Sequence, residues 1–153
     1  MKRKILICPY SKPLRNGNNN PKNYPYWLEL VLKLKNLNYN VIQIGYFDEK
    51  KIFGVDEFKK DLNFKELKNE LDNCYTWISV DNFFHHFSTF YKKPGIVIFS
   101  QSDPKIYGYE QNINLLKDRK YLRSDQFGIW EMTTYNKDAY IKPDEVLKYI
   151  SNF

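Results

Sequence analysis

The stretch Ile78-Ser79-Val80-Asp81-Asn82-Phe83-Phe84-His85-His86, continued by Gly95-Ile96-Val97-Ile98-Phe99-Ser100-Gln101-Ser102-Asp103-Pro104, decides the fold class. An apolar run ends at an acidic residue, a helix-compatible segment follows, and a second apolar run ends in a polar turn. Strand, turn, helix, strand is the building unit of an open α/β sheet, in which such turns gather at the carboxyl ends of the strands, where ligands bind. A helix starting at Asp81 aims unpaired backbone N–H groups at that crevice, a setting suited to phosphate.

The same alternation extends in both directions. Ile5-Leu6-Ile7-Cys8, Val41-Ile42-Gln43-Ile44-Gly45 and Tyr75-Thr76-Trp77-Ile78-Ser79-Val80 read as strands buried on both faces, with a fourth from Pro94 to Phe99 and a short fifth at Ile113-Asn114-Leu115-Leu116. Trp27, Leu28, Leu30, Val31, Leu32 and Leu34 recur at helical spacing, and Pro25 suits the first turn. Phe64 to Leu71 reads as a helix capped by Asn63, with Glu66 completing a capping box, Asn82 to Tyr91 as a second, and Pro143 to Ile150 as a terminal one. Tyr46 to Asp61 is polar and has no clear assignment, and no period holds from Lys117 to Asp138. Right-handed crossovers then give a single Rossmann-like three-layer domain over residues 1–153, with a parallel sheet of about five strands.

A hydrophobic fraction of 42%, much of it aromatic, suffices for one core in 153 residues and argues against disorder. The net charge of +6 favours anionic partners, although scattered lysines also serve solubility. No apolar run approaches the ~20 residues of a membrane span, and the basic N-terminus is followed by too short an apolar run for a signal peptide. Cys8 and Cys74 read as buried free thiols rather than a disulfide or metal pair, so a reducing, cytoplasmic setting is expected. Abundant Lys, Asn, Tyr, Phe and Ile fit AT-rich coding, as in a phage or a low-GC bacterium.

Several turn residues have chemistry to offer. Asp81 is either the helix N-cap or an acceptor for a sugar hydroxyl. His86 lies on the same helix and suits a diphosphate or a hydroxyl. Lys22, in the polar loop after the first strand, is either solvated or placed to neutralise a diphosphate. Asp48 and Glu49 follow the second strand, where an acidic residue holds ribose in Rossmann-type sites, but the Gly-x-Gly-x-x-Gly fingerprint is absent. Cys74 with His85 or His86 is conceivable as a nucleophile pair, yet Cys74 precedes a strand and should be buried. The basic run Lys117, Arg119, Lys120 and Arg123, with Tyr121 between, is read as a solvated loop in preference to a nucleic-acid surface.

Asp81-x-x-x-x-His86 in its strand–turn–helix setting resembles the Asp-Thr-Gly-Pro-x-His signature of the heptosyltransferase-type glycosyltransferases, in their C-terminal, donor-binding half. Lys93-Pro94-Gly95-Ile96-Val97-Ile98-Phe99 is similar to that family's next strand, Ser102-Asp103-Pro104 and Gly108-Tyr109 to its Thr-Asp-Pro and Gly-Tyr-Gly turns. Lys22-Asn23-Tyr24-Pro25 looks like its Lys-x-Trp-Pro, and Phe64-Lys65-Glu66-Leu67 like its Ser-Leu-x-Glu-Leu helix start. The resemblance implies one half of a GT-B fold that holds a nucleoside-diphosphate sugar, adenine type favoured, with no metal and no further cofactor. It implies Lys22 and Ser11 at the diphosphate, Asp48 or Glu49 on the ribose, and Leu62 against the base. Asp81, Asn82, Phe83 and His86 fall at the phosphate and sugar end, with Asp103 in the matching Ser-Asp-Pro turn.

The chain also departs from the family pattern. A GT-B enzyme has two halves, and the catalytic carboxylate lies in the half with no counterpart here. Asn82-Phe83 replaces the flexible Thr-Gly, and Asn16 to Pro21 lengthens the first loop. These departures favour a protein that captures the nucleotide, as a phage protein sequestering a signal or precursor would. The alternative is a donor-binding transferase subunit completed by a partner chain or a homodimer.

Overall fold

The computed structural model describes all residues, 1–153. Six strands form one all-parallel sheet in the order β3-β2-β1-β4-β5-β6. They are β1 Lys4–Cys8, β2 Asn40–Gly45, β3 Glu57–Lys60, β4 Thr76–Val80, β5 Ile96–Ile98 and β6 Ile113–Leu115. The helices are α1 Trp27–Asn36, α2 Phe64–Asp72, α3 Phe83–Phe90, α4 Pro104–Tyr107 and α5 Pro143–Leu147. The chain runs outward from β1 to β3, returns to β4 beside β1, and runs outward the other way. The order therefore reverses between β1 and β4, which opens a crevice at their carboxyl ends.

Strand side chains alternate between two buried faces. Ile5 and Ile7 face a core shared with Trp27, Leu30, Val31 and Leu34 of α1 and Val146 of α5. Leu6 faces the opposite core, with Leu67 and Leu71 of α2, Trp77 of β4, and Phe84 and Phe87 of α3. This is the three-layer Rossmann-like architecture expected from the strand–helix alternation. The sheet has one strand more than expected, because β3 emerges from the unassigned polar stretch. Its sequence, Glu57-Phe58-Lys59-Lys60, lacks an apolar run because it is an edge strand half-covered on its faces. Lys59 reaches Glu70 of α2 at 2.5 Å, and that carboxylate also takes Lys4 at 3.1 Å.

Two local expectations are corrected and one is met. The N-cap of α3 is Asn82, not Asp81: the Asn82 Oδ1 accepts from the Phe84 N–H at 2.9 Å. Pro25 sits in the turn before α1, whose cap is Tyr26. The capping box at α2 forms as expected, Asn63 Oδ1 accepting from Glu66 N–H and Glu66 Oε2 from Asn63 N–H, each at 2.9 Å. No helix is long and apolar enough to cross a membrane.

One glycine is demanded by the packing. A Cβ on buried Gly95, at the entrance to β5, would overlap the indole of Trp77, which is fully buried and donates Nε1–H to Lys93 O at 3.0 Å. Gly95→Ala should therefore lower stability by about 1–3 kcal/mol through overpacking. Urea denaturation would show it as a lower midpoint; an unchanged midpoint would mean that the indole is free to move.

Candidate functional site

The loop after β1 and the start of α3 meet across the reversal point, and three side chains fasten them. The Asn82 amide donates to the carbonyls of Cys8 and Tyr10, each at 3.1 Å, while its oxygen caps α3. Ser11 Oγ donates to the Asp81 carbonyl at 2.7 Å. Lys22 Nζ lies 3.1 Å from Asp81 Oδ2, and His85 Nε2 lies 3.0 Å from Asp81 Oδ1. Only Asn at position 82 offers both the donors and the acceptor that this junction uses, which is why the cap falls there and not at Asp81.

Asp81 is 3% exposed, so its charge needs partners. Burial pushes its carboxyl up, but the bond to His85 and the charge of Lys22 outweigh that and bring it down to about 2. The carboxylate is thus ionised throughout the neutral range and fixes the lysine ammonium at the head of the crevice. The stability this gives is present above the ordinary carboxyl range and is lost as pH falls toward about 2. His85, fully buried, was weighed in the sequence only as a partner for Cys74; its spacing of four from Asp81 was the available signal for this pairing. His86 is exposed at its edge, with Nδ1 2.7 Å from the Tyr109 hydroxyl. Partial burial of the ring and the neighbouring His85 hold its imidazole below the usual range.

Around this junction opens a cleft of about 870 Å³, within the usual size of small-molecule sites. Ser11, Lys22, Glu49, Leu62, Asp81, Asn82, Phe83 and His86 all line it. Asp48 is exposed outside the lining. Asp103 is also outside: it caps α4 and holds Arg119 in a two-pronged ion pair at 3.0 and 2.7 Å. Tyr10, Lys12, Arg15, Ile129, Trp130 and Glu131 complete much of the wall and carried no sequence signal as a group. Trp130 comes from the stretch without a period. Arg123 orders that stretch by donating to the carbonyls of Gln126, Gly128 and Ile129, with its guanidinium 3.5 Å from the Trp130 ring centre. Lys22 Nζ sits 4.8 Å from the same ring centre, within cation–π range.

The cleft is electrically polarised. Lys12, Arg15 and Lys22 stand at the end formed by the loop after β1, whereas Glu49, Asp61 and the apolar Leu62 stand at the ends of β2 and β3. Glu49 is folded back over Gly45, where any Cβ would collide with its carboxyl, and its Oε2 is buried without a hydrogen-bond partner. Burial raises this carboxyl to about 7.

Asp81, His85 and His86 are the residues that could hold a metal ion, with one ligand atom each within 4.8 Å of the others. The Lys22 ammonium competes for the same carboxylate. Cys74 does not join either histidine: it is buried ahead of β4, at the opposite end of that strand, and burial raises its thiol to about 11. Within the basic run, Arg119 and Arg123 are engaged as described, and Lys117 donates to the Asp138 carbonyl at 2.6 Å.

No protein-family model and no curated protein matches this sequence. Solved structures do. The E. coli ADP-heptose lipopolysaccharide heptosyltransferase II superposes with a TM-score of 0.71 at 14% identity, over 99% of this chain and 46% of its own. This chain has the fold of half a heptosyltransferase. A glycosyltransferase family 9 protein from Veillonella parvula gives a TM-score of 0.69 at 15% identity over 96% of this chain and 44% of its own. E. coli heptosyltransferase WaaC, solved with ADP, gives 0.65 at 13% identity over 99% and 44%. The chain thus spans less than half the length of the heptosyltransferases it matches, and the fold is that of a Rossmann-like half of a GT-B enzyme.

Glu49 offers a direct check on the acidic end of the cleft. Its folded-state carboxyl lies at about 7, above the ordinary value of 4.5, so the folded protein holds a proton that the unfolded chain has released. Stability should then fall as pH rises from about 4.5 to about 7. Glu49→Gln should raise the melting temperature at pH 8 and change it little at pH 4.5. Equal effects at both pH values would show that this carboxyl is not desolvated.

Proposed function

We propose that the protein binds a nucleoside-diphosphate sugar or a related ADP-ribose-like nucleotide at the carboxyl ends of its strands. The observation that carries this is the placement of Lys22 beside buried Asp81 at the start of α3, at the cationic end of the polarised cleft. A diphosphate at that end meets Lys22 and the N-terminus of α3, while Ser11, whose hydroxyl proton goes to the Asp81 carbonyl, positions the loop. A ribose toward the other end meets Glu49, and a base meets Leu62. His86, poised by Tyr109, lies at the phosphate and sugar end. The heptosyltransferases that share the fold include one solved with ADP, which favours adenine as the base.

Capture without turnover is the preferred form of this reading. Asp81, the buried carboxylate of the cleft, is committed to Lys22 and His85 and is not free to act as a base. Sequestration of a nucleotide, in a phage or a low-GC bacterium, is a role such a protein would suit. The second reading is a donor-binding subunit that transfers a sugar together with a partner chain or a second copy. Exposed Phe64 and Phe83, stacked with ring centres 6.0 Å apart on the cleft wall, favour it as an apolar surface for another half to cover.

Calorimetry with ADP-ribose, ADP-glucose and UDP-glucose tests the common core of both. At least one should bind, and Lys22→Ala should weaken it by roughly tenfold or more, the size of a lost charged hydrogen bond. If none binds tighter than about 1 mM, roughly 4 kcal/mol, the reading fails. Release of free nucleotide from a bound donor would decide for transfer over capture.

A further inference from the structure

Two neighbouring helices begin with phenylalanine at the rim of the cleft. Phe64 opens α2 and Phe83 opens α3, each directly after its asparagine cap. Both rings line the cleft, yet the residues stay 67% and 51% exposed, so the fold by itself leaves this apolar area in water.

The rings form a braced surface. They stack on each other with centres 6.0 Å and planes 25° apart, and Phe87 of α3 supports both, at 6.0 Å from Phe64 and 5.8 Å from Phe83. Phe87 packs in turn on Phe84, whose ring meets buried Trp77 of β4 edge to face. An aromatic wall is thus tied into the core on the α2–α3 side of the sheet. Phe83 has its ring on Phe64, at the end of the cleft where Leu62 stands two residues ahead of α2. Ile44, Leu67 and Phe84 continue this part of the lining, and no side chain among them or Leu62 carries a hydrogen-bonding group.

We propose that the Phe64–Phe83 wall is the stacking platform for the base of the nucleotide, and that it selects a purine by ring area and not by hydrogen bonds to the base edge. This rests on the nucleotide-binding reading and names the base class within it. Every base has a π-face, so a phenyl wall accepts any of them, but the fused rings of a purine cover more of it than the single ring of a pyrimidine. Of the two carboxylates at this end of the cleft, Glu49 serves the ribose, and Asp61 Oδ1 accepts from the Phe47 N–H at 3.2 Å.

The test is calorimetry with three donors that share sugar and diphosphate and differ in base: ADP-glucose, GDP-glucose and UDP-glucose. The two purine donors should bind within about threefold of each other, and each about fivefold or more tighter than UDP-glucose. Phe64→Ala and Phe83→Ala should each weaken the purine donors about fivefold, the low end of base–aromatic stacking, and narrow the gap to UDP-glucose. Both residues are largely exposed, so truncation spares the buried core, and Phe64→Tyr, which keeps a stacking face, should retain the purine affinity. Equal binding of all three donors, a strong preference between the two purines, or Ala variants that bind as the unaltered protein does, overturns the proposal while leaving nucleotide binding intact. Ala variants that keep their affinity but lose self-association overturn it in favour of a second half covering the rings. Failure of all three donors and of ADP-ribose removes the nucleotide reading and this one with it.

Discussion

A buried carboxylate at the reversal point of a parallel sheet has to be neutralised, and the way Asp81 is neutralised organises the rest of the site. Its two oxygens are divided between a histidine on the helix that follows it and a lysine from the loop after β1. Asp81 stands just ahead of α3, which begins at Phe83 with its cap at Asn82. The bond to Lys22 requires the loop after β1 to return to the β4 tip, where Ser11 and Asn82 lock it. One ion pair thus couples strand order and loop path. Removing one partner would leave a charge stranded in a dry place, the costly way to break such a pair.

The lysine is consequently held at the mouth of a cleft whose other walls come from distant parts of the chain. Loop 10–20 and the segment around Trp130 converge there, joined by Arg15 N–H and Glu131. The first is ordered by asparagine side chains and the second by Arg123, so both walls have shape without regular secondary structure. The cleft is cationic where loop 10–20 enters and acidic where β2 and β3 end, a polarity that matches a nucleotide laid with phosphates at one end and ribose at the other.

The strand–helix alternation was legible because parallel strands are buried on both faces and read as plain apolar runs, as at Ile5 to Cys8 and Ile96 to Phe99. Edge strand β3 was not, since its exposed position selects Glu57, Lys59 and Lys60. The cap at α3 was misread by one residue because Asp and Asn both cap helices; the choice was made by two carbonyls more than seventy positions away in sequence. Lys22, Asp81 and His86, which meet in the cleft, were legible as local motifs. Trp130 and Arg15 were not, because an Arg123-centred web of carbonyl bonds and an asparagine-built loop carry no periodic trace.

The central claim is that one crevice, between the carboxyl ends of β1 and β4, receives the nucleotide. Amide chemical-shift mapping by NMR with ADP-ribose tests it most directly. The account predicts the largest changes at Ser11 to Lys22, Glu49, and Asp81 to His86, with the α1–α5 face unchanged. Changes centred on that face, or spread evenly over the chain, would contradict it.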